Sequence, residues 1–151
     1  MPLLNYTTTV SVDKTLSEIQ RILASHGSRS ILTDYDGQGN PIAVSFVVPT
    51  QFGERPFRLP ANIEGVWKTM TQQYQKGQMP RRFATKDQAT RVGWRIIRDW
   101  LAAQMAIIEA GMVSLDEVML PYLQDAQGHT LYQVMAAKRL MLPAAKGEND
   151  G

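Results

Sequence analysis

Residues 6–12 alternate, with Tyr6, Thr8, Val10 and Val12 on one side and Thr7, Thr9 and Ser11 on the other. A two-residue period rich in β-branched side chains predicts a half-buried strand. The period then changes. Leu16, Ile19, Ile22 and Leu23 recur at helical spacing, Thr15 with Glu18 three places on reads as a capping box, and Gly27 stands where a left-handed cap ends a helix. A second strand is predicted at 30–35, and Asp36-Gly37-Gln38-Gly39-Asn40-Pro41 is a strong turn signal. A third strand is predicted at 42–48, with Ile42, Val44, Phe46 and Val48 on one face. Residues 49–56 read as a loop, and 56–60 as a candidate fourth strand at a sheet edge, where proline is tolerated. The front half is thus predicted to run β-α-β-β.

Beyond Pro60 the spacing is helical. One helix is predicted at 63–74, then a flexible basic linker at 75–82 containing Gly77 and Pro80. Thr85 with Gln88 forms a second capping-box pattern and opens the longest element, 86–110, closed by Gly111. At 1.5 Å per residue it would be about 37 Å long. Ser114 with Glu117 opens a third helix that Pro121 interrupts, and Gly128-His129-Thr130 starts a last one ending near 142–143. The expected fold class is α+β: a small antiparallel or mixed sheet, then a helical layer around one long central helix. Residues 1–143 are expected to form one domain, strand-rich over 1–60 and helical over 61–143, with 144–151 a disordered tail. The long helix is apolar over much of its circumference. Ala89, Val92, Ile96, Ala103 and Ile107 mark one face and Trp94, Ile97, Leu101 and Ile108 another, with Trp100 between. Such a helix needs cover on several sides, from a central place in the domain or from a partner subunit in a homodimer.

Composition narrows the functions. The 151 residues contain no cysteine, which excludes disulfide scaffolds, thiolate metal centres and cysteine nucleophiles. The start, Met1-Pro2-Leu3-Leu4-Asn5-Tyr6, has neither the basic nor the long apolar region of a secretory signal. The longest apolar stretch is broken by Arg95, Arg98, Asp99, Gln104 and Glu109, which argues against a membrane span. A cytoplasmic protein is expected.

Net charge is only +2, yet it is unevenly spread. Lys68, Lys76, Arg81, Arg82, Lys86, Arg91, Arg95 and Arg98 fall in one stretch whose sole acid is Asp87. Arg91, Arg95 and Arg98 share one side of the long helix, and Tyr74, Phe83 and Trp94 are interleaved with the cations. A solvated face with ordinary ion pairs explains these residues. So does a phosphate-binding surface, since guanidinium binds phosphate bidentately and aromatics stack bases. The second reading gives the expected site: Lys76, Arg81, Arg82, Lys86, Arg91, Arg95 and Arg98 on phosphates of DNA or RNA, with Tyr74 or Phe83 stacking. The alternative is a protein–protein module whose arginines meet an acidic surface of a host protein, and the third is a small-molecule binder or enzyme with a pocket between sheet and helices.

Other constellations are weaker. Asp34 to Asn40 resembles the start of a calcium loop, but Ser45 stands where the bidentate glutamate is needed. His26 and His129 lack a second ligand at metal spacing, and a histidine triad would need partners brought by the fold. Glu54, Arg55 and Arg58 could line a polar cleft against Asp34 or Asp36, or protect an edge strand. No cofactor, metal site or catalytic residue is expected.

Phe57-Arg58-Leu59-Pro60, the block from Ala89 to Met112 and Leu120-Pro121-Tyr122-Leu123 resemble small uncharacterised proteins encoded in bacteriophage and prophage genomes. That resemblance implies an accessory protein acting in a bacterial cytoplasm, on nucleic acid or on a host factor, and carries no catalytic residues with it.

Overall fold

Alternation is cleanest in the middle strand, and the sheet is built around it. The computed structural model describes residues 1–139. Strands β1 (Ser30–Tyr35), β2 (Pro41–Thr50) and β3 (Gly53–Pro60) form an antiparallel sheet in that order. Helix α1 (Val12–Ser25) precedes it. Helices α2 (Ile63–Gln75), α3 (Lys86–Glu109), α4 (Leu115–Met119) and α5 (Leu131–Lys138) follow, with 3-10 turns at Arg81–Phe83 and Leu120–Tyr122. The fold is α+β, with one long helix as the patterning predicts. The last helix ends at Lys138 rather than near 142–143, because Arg139 turns into a left-handed cap at φ 52°; the tail at 144–151 lies outside the described residues.

Val44, Phe46 and Val48 of β2 are buried on the inner face. Phe46 pairs with Ile31 and Phe57, Val44 with Thr33 and Leu59, and the rings of Phe46 and Phe57 stack at 5.8 Å. Ile42 was expected to join them but is 37% exposed. The register slips between Asp34 and Tyr35, so that Tyr35 pairs with Pro41 and Ile42 is the extra residue of a bulge. The expected loop at 49–56 is a tight hairpin: β2 runs on to Thr50, and Thr50 Oγ1 donates to Gly53 O at 2.7 Å.

The turn before β2 closes on Asp36, whose Oδ1 accepts the N–H groups of Gln38 and Asn40 at 2.8 and 2.9 Å. Asp125-Ala126-Gln127-Gly128-His129 repeats this loop, Asp125 Oδ1 accepting from Gln127 and His129 at 2.9 Å each. The second copy leans on the sheet. Gln124 N–H donates to Pro56 O at 2.9 Å and Leu123 bridges Phe57, which covers part of the outer edge of β3.

The strand expected at 6–12 is absent. Residues 4–7 form a turn, with Asn5 at φ 64°, and the helix begins at Val12. Ser11, not Thr15, is the cap, accepting from Lys14 N–H. The order is therefore α-β-β-β. The segment instead runs as an irregular strap beside the helices, turning at residues 4–7, with parts of its backbone held by side chains. Gln88 Nε2 donates to Tyr6 O and Thr8 O at 2.9 Å each, and Leu3 N–H donates to Gln73 Oε1 at 2.9 Å. Gln88 thus serves the strap rather than closing the capping box begun by Thr85.

Two apolar clusters flank α3. One joins Leu16, Ile19 and Leu23 of α1 to the sheet and to Trp94, Leu101 and Met105 of α3. Trp94 has no exposed surface, and its Nε1–H donates to Pro41 O at 3.3 Å. The other joins Met70 of α2 and Met79 to Ala89 and Val92, with Leu3, Tyr6 and Phe83 packed against it. Here α2 and α3 touch at Gly93, where an added Cβ would lie 2.8 Å from Ile63 Cδ1 and 3.3 Å from Val66 Cγ2. Ile63 can turn away, but a branched residue at 93 would also drive into Val66. Gly93→Val is expected to cost about 3 kcal/mol or more in urea unfolding. Gly37→Ala, whose Cβ meets nothing within 4 Å, should stay within about 0.5 kcal/mol of the parent.

Candidate nucleic-acid interface

The arginine ridge on α3 faces α1, and most of its charge is answered there. Arg95 Nη1 donates to Glu18 Oε2 at 2.8 Å, and Arg98 Nε lies 3.3 Å from Glu18 Oε1 without hydrogen-bond geometry. Arg98 Nη1 donates to Asp99 Oδ1 at 3.3 Å, and Asp99 Oδ2 accepts from Asn5 Nδ2 at 2.8 Å. One buried-edge network thus ties α1, α3 and the N-terminal strap together. Arg91 is held differently: its Nε donates to Gln88 Oε1 at 2.9 Å, and it meets no carboxylate among the described residues. The hydrogen bond from Arg95, aided by the nearby positive charges, holds the Glu18 carboxyl below its usual range despite the opposing effect of burial.

The other expected contacts gather where α2 hands over to α3. The segment read as a flexible linker is a built corner. Gly77 turns it at φ 73°, Gln78 N–H donates to Gln73 O at 2.8 Å, and Met79 is 95% buried, 5% of its surface remaining exposed. Met79 anchors the corner while Lys76, Arg81 and Arg82 stay exposed around it, none within an ion pair among the described residues. Arg82 lies over the Phe83 ring at 4.6 Å, and Phe83 meets Tyr6 edge-on at 5.4 Å. Phe83 is therefore half-buried support, whereas Tyr74 is exposed. Lys86 is paired with Glu64 at 3.0 Å. The structure thus leaves Lys76, Arg81 and Arg82 exposed on one connecting segment, with Tyr74 close in sequence, and sets Arg95 and Arg98 in a paired cluster around Glu18 and Asp99.

The fold also assembles a trio that the sequence kept apart: Ser25, His26 and Glu109. His26 Nε2 lies 2.5 Å from Glu109 Oε1, and Ser25 Oγ lies 3.2 Å from His26 Nδ1. It does not have the proton arrangement of a nucleophilic triad. His26 Nδ1 is 2.7 Å from Ile22 O, nearer than it is to Ser25 Oγ, so the backbone carbonyl competes with Ser25 for that nitrogen. Ser25 Oγ itself donates to Ile22 O at 2.9 Å. The trio closes the end of α1 onto the end of α3.

The remaining candidates resolve locally. Asp36 bonds its own turn, and the N–H groups of Asn40 and then Gln38 hold its carboxyl below the usual range. Arg58 reaches Asp34 across the outer sheet face at 3.2 Å, and Arg29 lies 3.6 Å from Glu54. Among the described residues no three His, Asp or Glu side chains stand close enough to hold a metal, and no helix is long and apolar enough to cross a membrane. An apolar cleft of about 520 Å³ is lined by Leu120, Pro121, Leu131, Tyr132, Met135 and Arg139.

Set against known protein families, curated proteins and solved structures, the chain shows no significant match.

Sequence reasoning missed Glu18 as the partner of the ridge and Gln88 as the post of the strap. The signal for Glu18 was its place beside Ile19 and Ile22, where an acid flanks an apolar stripe and needs a cation. Because its folded-state carboxyl is held low, Glu18 adds stability that is complete above its unfolded titration range and is lost as pH falls through the folded one. Glu18→Gln should therefore lower the melting temperature at pH 7, by an amount equivalent to about 1 kcal/mol after allowing for its partial exposure. The gap to the parent should narrow as the pH is taken down toward 3, which thermal denaturation followed by circular dichroism would show.

Proposed function

We propose that this protein is a non-enzymatic accessory protein that binds the phosphate backbone of nucleic acid through the corner between α2 and α3. One observation carries the reading. Lys76, Arg81 and Arg82 are exposed on an anchored turn without a carboxylate partner among the described residues, whereas most other cations of this stretch are paired. Charges kept in water meet phosphates with release of the counterions condensed on the nucleic acid. Tyr74 supplies an exposed ring beside them on which a base can stack. The bacteriophage and prophage resemblance fits such a role in a bacterial cell.

Three phosphate contacts correspond to a slope of log affinity on log salt of about −2.1 to −2.7, a loss of roughly 20–40-fold between about 50 and 200 mM salt. Fluorescence anisotropy with labelled single- and double-stranded oligonucleotides reads this directly. The triple variant Lys76→Glu, Arg81→Glu, Arg82→Glu should abolish binding with an unchanged melting temperature. Undiminished binding by that folded variant rules out the corner as the site.

The apolar cleft favours a second reading, a protein–protein module. Leu120 and Tyr132 at its mouth are 50% and 59% exposed. Here a partner complex would resist salt, survive the triple variant and weaken on Tyr132→Ala.

A further inference from the structure

Arg91 is the one ridge arginine that no carboxylate answers, and it lines a separate cavity. The cavity is about 350 Å³ and is walled by Thr8, Thr9, Ser11, Val12, Gln88 and Arg91. None of these is acidic. Asp87, one turn before Arg91 on α3, forms no ion pair with it.

The hydrogen bonds already made decide what the cavity can offer. Gln88 is 95% buried, its surface only 5% exposed. Its amide nitrogen is committed to Tyr6 O and Thr8 O and its oxygen accepts from Arg91 Nε, so it is a fixed post. It aligns the guanidinium and leaves both terminal nitrogens without a protein partner among the described residues. Thr8 Oγ1 accepts from Val10 N–H at 3.2 Å and Ser11 Oγ from Lys14 N–H at 3.2 Å. Each of these hydroxyls accepts one bond and keeps its hydrogen free to donate, beside one unused lone pair. Thr9 adds a third hydroxyl. The wall can therefore turn donors toward a fixed cation's ligand, as a compact, multiply charged oxyanion requires.

We propose that this cavity is a seat for a single phosphate group, with Arg91 as its charge and the hydroxyls of Thr8, Thr9 and Ser11 as its hydrogen-bond donors. The group can be free phosphate or the terminal phosphate monoester of an oligonucleotide. The seat stands without the corner site, and only the second source rests on the nucleic-acid reading.

The first probe is inorganic phosphate, followed by two-dimensional 1H–15N NMR at constant ionic strength with chloride as the control. Saturable shifts are expected in the amides of residues 8–12 and 88–91. Arg91→Gln should weaken them roughly ten-fold or more. Thr9→Val, which leaves the Gln88 post untouched, should weaken them to a lesser degree, and the corner triple variant should leave them unchanged. Shifts confined to 76–83, equal shifts with chloride, or full-strength phosphate binding by Arg91→Gln would each overturn the proposal.

The second probe compares 5′-phosphorylated with 5′-hydroxyl oligonucleotides on the parent and on Arg91→Gln. A phosphorylation advantage lost in Arg91→Gln assigns the seat to terminal phosphate. Phosphate binding with no such advantage assigns it to free phosphate. Oligonucleotide binding at the corner without any phosphate effect at residues 8–12 overturns the seat alone, and phosphate binding without oligonucleotide binding overturns the corner alone.

Discussion

A helix of 24 residues that is apolar around most of its circumference cannot be left in water, and the rest of this fold is arranged to cover α3. The sheet and α1 close one side through Leu16, Ile19, Leu23 and Trp94. Helix α2 closes another, near enough that a side chain at position 93 would press on Ile63 and Val66. The N-terminal strap adds Leu3 and Tyr6 beside α2 and α3. Ala89, Val92, Trp94, Leu101 and Met105 find their cover within the described chain, while Ile96, Ile97, Trp100 and Ile107 are half-buried and Ala103 is exposed. The polar edge carrying Arg91, Arg95 and Arg98 lies where covering elements meet. Charges at such a place are drawn into joining those elements, and Glu18, Gln88 and Asp99 are the groups that join them.

This explains why three arginines at helical spacing on one face do not act alike. A pair held partly out of water loses much of its hydration, and removing one partner leaves the other charge poorly compensated. Arg95 and Arg98, bound around Glu18, would have to give up that partner before touching a phosphate. Lys76, Arg81 and Arg82 would give up only water and counterions. Counting positive residues along the chain treats these two groups as one basic stretch; counting their carboxylate partners separates them.

Much of the fold was legible in the sequence because it rests on local signals. The bounds of α3 follow from Thr85 and Gly111, and the starts of α4 and α5 from Ser114 and Thr130, whose capping boxes with Glu117 and Gln133 both form. The errors share a cause. Residues 6–12 have the period of a strand, but a strand also needs a neighbouring strand, and here side chains from α2 and α3 take the backbone bonds instead. Thr15 and Glu18 have capping-box spacing, but Ser11 caps the helix four residues earlier, leaving Thr15 inside it and Glu18 directed to Arg95. Ile42 has the right alternation but sits on a bulge. Of the candidate site, the cations were legible by type and spacing. Their division into paired and unpaired sets was not, since it depends on contacts between residues about eighty positions apart, such as Glu18 with Arg95 and Gln88 with Tyr6.

The corner shows how a fold keeps a charged surface available. If Lys76, Arg81 and Arg82 were needed to hold the turn, their charges would be neutralised by whatever they held. The turn is instead fixed by apolar and backbone means: Met79 buried beneath it, Gly77 in a left-handed conformation, and Phe83 wedged against Tyr6. Position and charge are thus assigned to different side chains. The same separation marks the Arg91 cavity, where Gln88, a neutral side chain, does the positioning and the guanidinium keeps its charge uncompensated. At Arg95 and Arg98 the two duties fall on the same residues, and there the charge is already matched by Glu18 and Asp99. The cation that builds the fold at Arg95 and Arg98 has its anion within the chain; the cation held in place by a neutral neighbour at Arg91 meets no carboxylate among the described residues.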